Sequence, residues 1–319
     1  MGTHAFNYGD LKIFSGRAHA ALAREICAYL GIPLGELTLY NFSDGEVYCQ
    51  IDENVRGADV FVVQPTCSPV NDHMMELLIL LDAFRRSSAS RLTAVMPYFG
   101  YARQDKKDKP RVPIAAKLMA DLLTAAGTDR ILTMDLHTAQ IQGFFNIPVD
   151  HLFAAPVLLE AIRKLDLDDL VIVSPDVGGL TRARAIAKRL DASLAVIDKR
   201  RTGKNETEIL NVVGEVEGKD VLILDDIVDT AGTLVQAEDA LRRQGAKRTF
   251  AAAVHGVFSG PALDRIEGSG LESLLVTNTI PVEAAMARTP RIRALSVAPL
   301  LGEAIQRIHD GASVSSLFV

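Results

Sequence analysis

The sequence has few cysteines: Cys27, Cys49 and Cys67 are the three in 319 residues. None forms a CxxC pair, and an odd, sparse set argues against a disulfide framework and for packed thiols in a reduced, cytosolic chain. A cationic excess is also missing. The chain carries 34 Lys and Arg against 40 Asp and Glu, a net −6, with the signs mixed along its length. Binding a phosphate backbone needs clustered cations, so nucleic acid is not expected as a partner, while the local basic clusters suit a small anionic ligand. The longest run of large aliphatics, Leu77-Leu78-Ile79-Leu80-Leu81, is far too short to span a bilayer, so no membrane is expected. The N-terminal MGTHAFNYGD has neither a basic n-region nor an apolar h-region. Phe6 stands where a myristoylation signal needs Ser or Thr, and a cytoplasmic location follows as the expectation.

What is present is α/β patterning. The length and the 48% apolar content allow two domains, each with a real core. Continuously apolar runs at Val60–Val63, Leu92–Met96, Ile131–Met134, Leu170–Val173, Leu194–Ile197, Val221–Leu224 and Thr249–Val254 read as parallel strands covered on both faces. Helical patterns lie between them, at Met74–Arg86, Ile114–Ala126, Thr181–Leu190 and Leu234–Arg243. Two segments look like copies. Asp59-Val60 opens a strand, loop and helix that end in Arg85-Arg86-Ser87-Ser88-Ala89-Ser90-Arg91; Asp220-Val221 opens another that ends in Arg242-Arg243-Gln244-Gly245-Ala246-Lys247-Arg248. Both ends read RRxxAxR. Cations complement a helix C-terminus, which accounts for part of the match, but the shared order and spacing favour two homologous domains. The boundary is expected near Pro148–Pro156, with no low-complexity linker between the halves.

The most informative stretch runs from Val221 to Thr233. A buried strand is expected to end in Asp225-Asp226; the turn Asp229-Thr230-Ala231-Gly232-Thr233 follows, and a helix is expected from Leu234. Small residues let successive N–H groups close around an anion, and the helix N-terminus favours it further. Thr230 and Thr233 can donate hydroxyls to phosphate oxygens. Carboxylates repel phosphate, so Asp225 and Asp226 need a different role, either accepting hydrogen bonds from vicinal sugar hydroxyls or contacting Mg²⁺. Three aspartates at one strand end are costly without a ligand, and no GK[ST] makes this a Walker A loop.

Other segments are less specific. Asn41-Phe42-Ser43-Asp44-Gly45-Glu46 offers a π face beside carboxylates, although SDG is also a common turn. In Tyr98-Phe99-Gly100-Tyr101-Ala102-Arg103-Gln104-Asp105-Lys106-Lys107-Asp108, an arginine able to grip phosphate bidentately follows a strand. A solvated charge run would explain the lysines there but not the aromatics. His137 and Asp176 each follow a predicted strand. Asp198–Glu208 has no apolar residue and reads as a mobile segment that cannot pack in a core.

Asp225–Thr233 resembles the phosphoribosyl diphosphate motif of type I phosphoribosyltransferases. With the other motifs, the chain from about Lys12 to Phe318 resembles the ribose-phosphate pyrophosphokinase family. The resemblance implies two homologous phosphoribosyltransferase-like domains, each a mainly parallel sheet flanked by helices. The first covers residues 1–150, with the tail from about 300 to 319 packing back on it, and the second covers 151–299. It implies diphosphoryl transfer from Mg-ATP to the 1-hydroxyl of ribose 5-phosphate, with Mg²⁺ as cofactor. Phe42, Asp44, Glu46, Arg103, Gln104 and Asp108 fall on ATP-binding positions, those of the Phe42 segment contributed by a neighbouring subunit. Arg201, Asp225, Asp226, Asp229, Thr230, Ala231, Gly232 and Thr233 fall on ribose 5-phosphate positions. Lys199 and Arg201 fall on catalytic positions of a flexible loop, and His137 and Asp176 on Mg²⁺ positions, although imidazole is an unusual Mg²⁺ partner. Arg56, Ser88, Arg111, Ser313, Ser315, Ser316 and Phe318 match an allosteric site activated by inorganic phosphate and inhibited by ADP. A homo-oligomer, a hexamer built from dimers, is implied too. The sequence departs from the family at Ala231, where Gly or Cys is common and alanine resists positive φ. It departs again at Asn41, where Arg is common, and Lys107–Arg111 is the shorter of the family's forms. A non-catalytic regulatory relative would not need Lys199, Arg201, His137 and Asp225-Asp226. A phosphoribosyltransferase would leave the Phe42 and Arg103-Gln104 motifs unexplained.

Overall fold

Runs apolar at every position fit strands buried on both faces, and the computed structural model, which describes residues 9–200 and 209–318, builds them into such sheets. In chain order the elements begin β1 (Leu11–Ser15), α1 (Ala20–Leu30), β2 (Leu37–Asn41), β3 (Val47–Ile51), β4 (Asp59–Val63), α2 (Val70–Arg86), β5 (Arg91–Met96), α3 (Ala115–Ala125), β6 (Arg130–Met134) and β7 (Val149–Leu152). They continue with α4 (Ala155–Arg163), β8 (Val171–Ser174), α5 (Leu180–Leu190), β9 (Ser193–Arg200), β10 (Ile209–Val213), β11 (Asp220–Val228), α6 (Gly232–Arg243), β12 (Arg248–Gly256), α7 (Ala262–Glu267), β13 (Leu271–Thr277), α8 (Glu283–Arg288), β14 (Ile292–Leu295) and α9 (Ala298–His309). The chain divides into two units. One comprises the residues up to Phe153 and from Ser296 onward, the other Ala154–Leu295.

Among the described residues, the first unit holds a five-stranded parallel sheet in the order β1-β4-β5-β6-β7. Phe14, Val60, Val62, Leu77, Leu81 and Phe84 sit in its core, and the hairpin β2–β3 forms a separate two-stranded sheet. Helix α9 returns to pack on α1. The second unit holds a seven-stranded sheet, β10-β9-β8-β11-β12-β13-β14, parallel except for the β10–β9 pair. Val171, Val221, Ile223, Leu234 and Leu241 are in its core. Among the described residues no helix is long and apolar enough to cross a membrane.

The boundaries differ from the sequence reading in ways that have physical causes. Helix α2 starts at Val70 rather than Met74, with Pro69 at its N-cap; its first turn is largely polar, so apolar periodicity cannot mark it. Strand β9 runs past Ile197 to Arg200 because its backbone pairs with β10, a ladder that does not depend on side-chain pattern. Asp198, Lys199 and Arg200 are therefore strand, not loop, and the rest of the expected mobile segment lies outside the described residues. Strand β11 likewise does not end at the acidic pair. It runs to Val228, held by the pairs Asp225↔Ala253 and Ile227↔His255, and α6 begins at Gly232 rather than Leu234.

Candidate active site

Strand β11 carries Asp225 and Asp226 at its C-terminal end, where open parallel sheets bind ligands. Asp226 is buried and Asp225 nearly so, and the Asp226 N–H donates to Asp225 Oδ1 at 2.8 Å. Burial, then the hydrogen bond and charge of Asp226, and finally the charge of Asp176 push the Asp225 carboxyl up to about 8. Arg182 of α5 relieves part of this crowding, with Nη1 3.5 Å from Asp226 Oδ1. A carboxyl held toward its neutral form can donate as well as accept, and a second carboxyl beside it adds acceptors, which suits a pair of vicinal hydroxyls.

The turn that follows is shaped by Ala231, which adopts left-handed φ 57°, ψ 9° as the N-cap of α6. The strain expected of alanine there is real, and the residue is buried at 5% exposure, so packing holds it in place. The Ala231 carbonyl accepts from Val235 N–H at 3.0 Å, which starts the helix. The Thr230 carbonyl accepts from Arg265 Nη1 at 2.9 Å, and the Asp229 carbonyl from Ser259 N–H at 3.0 Å. Gly232 and Thr233 open α6, and a helix N-terminus is a favourable place for an anion. Asp176, exposed after β8, accepts from Gly179 N–H at 2.9 Å and so caps its own loop.

In the first unit, Phe42, Asp44 and Glu46 occupy the β2–β3 hairpin turn. Phe42 N–H donates to the Glu46 carbonyl at 2.8 Å, Gly45 N–H to the Phe42 carbonyl at 2.9 Å, and Glu46 N–H to Asp44 Oδ1 at 3.1 Å. The Phe42 ring is 46% exposed and edge-on to Tyr40 and Tyr48. After β5 the chain is anchored by its aromatics: Tyr98 and Phe99 are buried, and Gly100 N–H donates to Thr66 Oγ1 at 2.7 Å. Beyond that anchor Arg103, Gln104 and Asp108 are exposed. Asp105 Oδ2 accepts from Thr138 Oγ1 at 2.9 Å, which ties this loop to the turn bearing the exposed His137. That turn has Asp135 at φ 39°, and its Leu136 N–H donates to buried His151 Nε2 at 2.9 Å.

Lys199 is the penultimate residue of β9, facing Leu210 across the ladder; Arg201 lies outside the described residues. Ser88 and Arg111 both take positive φ, 63° and 67°. The Ser88 carbonyl accepts at 2.8 Å from the N–H of Gly57, the residue after Arg56. Ser313 and Ser315 line a cavity of about 350 Å³ with Arg91 and Arg130, and Arg307 Nη1 donates to Ser316 Oγ. Phe318 closes a short 3₁₀ turn, Ser315–Phe318. His137 and Asp176 fall in different units, and among the described residues no three His, Cys, Asp or Glu side chains converge as a metal cage. Sequence reasoning missed Arg182, Arg265, Thr138 and His151. The arginines lie on helices where they read as surface charge, and no spacing rule marks the other two.

Two family models match: the N-terminal domain of ribose phosphate pyrophosphokinase over residues 11–127 and the phosphoribosyl synthetase-associated domain over residues 200–319. A ribose-phosphate pyrophosphokinase of Gloeobacter violaceus is 57% identical over 97% of this chain and 93% of its own length. One of Burkholderia pseudomallei is 55% identical over 98% of both chains. The crystal structure of phosphoribosylpyrophosphate synthetase from Mycobacterium smegmatis superposes with a TM-score of 0.90 at 44% identity, over 95% of this chain and all of that one. With an acidic pair ahead of the α6 N-terminus in one unit, an aromatic hairpin in the other and relatives matched nearly end to end, the chain belongs to the ribose-phosphate pyrophosphokinase family.

Proposed function

We propose that the enzyme transfers the β,γ-diphosphoryl group of ATP to the 1-hydroxyl of ribose 5-phosphate, giving 5-phosphoribosyl 1-diphosphate and AMP. The anomeric oxygen bonds to the β-phosphorus and its proton passes to solvent, while the bond from that phosphorus to the α–β bridging oxygen breaks and AMP leaves with that oxygen. The observation that carries this reading is Asp225-Asp226 directly ahead of the Ala231-capped turn. The carboxylates orient the ribose hydroxyls, and the α6 N-terminus with Thr230 and Thr233 holds the 5-phosphate. Phe42, Asp44, Glu46, Arg103, Gln104 and Asp108 hold the nucleotide. Lys199 and Arg201 stabilise charge building on the transferred group and the leaving α-phosphate, the main need of phosphoryl-type transfer. His137 and Asp176 would each offer a donor to Mg²⁺. Two donors are a reasonable set because Mg²⁺ keeps waters and substrate oxygens, and the crowded negative charge around Asp225 is chemistry that a cation relieves. Bound Mg²⁺ supplies charge neutralisation on the polyphosphate.

Activation by inorganic phosphate and inhibition by ADP are proposed at a site built from Arg56, Ser88, Arg111, Ser313, Ser315, Ser316 and Phe318 in a hexamer built from dimers. A phosphate titration that moves neither activity nor oligomer size removes that part. The reaction itself is tested by mixing enzyme, Mg-ATP and ribose 5-phosphate and separating the nucleotides. AMP is the expected product; ADP would mean simple phosphorylation and would overturn the mechanism.

A further inference from the structure

Buried Glu76 of α2 is 1% exposed and carries a charge that the fold must satisfy. It accepts from Gln64 Nε2 at 2.9 Å and from the Arg17 backbone N–H at 2.7 Å, and it is paired with the Arg17 side chain through Nε. The other arm of the same guanidinium leaves the core: Nη2 donates to Asn41 Oδ1 at 2.5 Å. The Asn41 carboxamide then donates from Nδ2 to the Gly45 carbonyl at 3.2 Å, inside the hairpin turn. One planar fork therefore joins a buried carboxylate to the turn presenting Phe42, Asp44 and Glu46. Among the described residues the ladder of β2 and β3 is a separate two-stranded sheet, which rests on the core through Leu37, Leu39, Cys49 and Ile51, so the Arg17–Asn41 link is a polar tie at its turn end. Tyr40 and Tyr48 stack at 4.6 Å and hold the Phe42 ring edge-on, so the ring follows the turn as a body.

We propose that Arg17, acting through Asn41, is a positioning residue for nucleotide binding that fixes the β2–β3 turn against Glu76. This rests on the reading that Phe42, Asp44 and Glu46 contact ATP. Arg is required rather than Lys, because only the fork reaches a carboxylate and a carboxamide at once. The geometry also explains why asparagine serves at position 41: its oxygen takes the guanidinium while its nitrogen closes the turn.

The test is a double-mutant cycle on the full-length enzyme with Arg17→Lys, Asn41→Ala and the pair, with Phe42→Ala as reference. Lysine keeps Glu76 neutralised and Asn41 is exposed, so all should fold, and thermal melts check this. Each single variant should raise KM for ATP about 3- to 10-fold, with kcat and KM for ribose 5-phosphate within about 2-fold, the mark of lost ground-state binding at one substrate only. The double variant should be no worse than either single one, because both cut the same link. Additive effects, equal rises in both KM values, or an unchanged KM for ATP while Phe42→Ala raises it, would overturn the role of Arg17. If Phe42→Ala itself leaves KM for ATP unchanged, the hairpin is not the nucleotide site, and the inference falls with that reading.

Discussion

Asp59 in the first unit and Asp220 in the second open equivalent strands, since β1-β4-β5-β6-β7 and β8-β11-β12-β13-β14 follow one order. Each faces an arginine directly across the ladder, Asp59↔Arg91 and Asp220↔Arg248, and each is ion-paired with it. The turns leading into them match as well: Gly57 N–H donates to the Ser88 carbonyl at 2.8 Å and Gly218 N–H to the Gly245 carbonyl at 2.7 Å. The copies part five residues after the opening aspartate, where Gln64 follows β4 in the first unit and Asp225 stands within β11 in the second. Gln64 is fully buried and satisfied internally, accepting from Ala18 N–H at 3.1 Å and donating to Glu76 at 2.9 Å. Asp225 instead meets a second carboxylate and is pushed up to about 8. A shared scaffold thus offers the same strand position twice, and of these two positions only the one in the second unit crowds carboxyl groups together.

Replacing Asp225 with Asn should bring the copies closest together, and it carries the largest expected effect. Turnover should fall on the order of 10²-fold, as for loss of a group that aligns the reacting substrate. Stability should move the other way. An acid whose pKa rises on folding binds more protons folded than unfolded, so its ionisation works against the fold as pH rises from about 4 to about 8. Asp225→Asn should therefore melt higher than the parent, with an advantage that grows across that window and levels off above it. Melts at pH 5 and 8.5 check this; an advantage that shrinks with pH would show that the carboxyl is ionised in the fold.

The paired aspartates come next. Asp59→Ala leaves Arg91, 9% exposed, without that carboxylate and should cost about 3–5 kcal/mol in denaturant unfolding. Asp220→Ala leaves Arg248, 36% exposed and able to reach water, and should cost less, about 1–3 kcal/mol. The hydrogen bond from Arg248 holds the Asp220 carboxyl below the usual carboxylate range, so its contribution is present above about pH 4 and fades as pH falls through the folded value. Equal losses in the two variants would mean that burial of the arginine does not set the cost.

The repeat itself was legible because an aspartate opening a strand and an RRxxAxR end follow in the same order in both halves, with 32 residues from Asp59 to Arg91 and 28 from Asp220 to Arg248, and the strands because buried parallel strands are apolar throughout. The Asp229–Thr233 turn was legible as a strand-to-helix turn because small and hydroxylated residues interrupt the apolar pattern there. Other features depend on backbone pairing or on partners distant in sequence. The extension of β9 through Lys199 comes from its ladder with β10. The extension of β11 through Asp226 comes from its ladder with β12, against the polarity of its own side chains. Arg17 and Asn41 lie 24 residues apart with nothing between them to mark the contact. Ala231 was legible as a departure but not as an outcome, because only burial at the mouth of α6 shows how a left-handed alanine is held.

The smallest expected effect separates the two turns that lead into β5 and β12. Ser88 and Gly245 hold the same place in RRxxAxR and both take positive φ, 63° and 83°. A side chain pays for that conformation in contact between Cβ and the backbone, so exchanging the residues should change stability in opposite directions. Gly245→Ser should cost about 1 kcal/mol, since its Cβ would also meet the Glu217 side chain at 3.0 Å, which can swing aside. Ser88→Gly should gain at most about 1 kcal/mol, because relief of strain is partly offset by the greater freedom of glycine in the unfolded chain. Urea titration of both variants reads the difference. If Ser88→Gly instead destabilises, the hydroxyl or Cβ of Ser88 makes a contribution in the first unit that Gly245 does not make in the second, and the two turns are alike in backbone only.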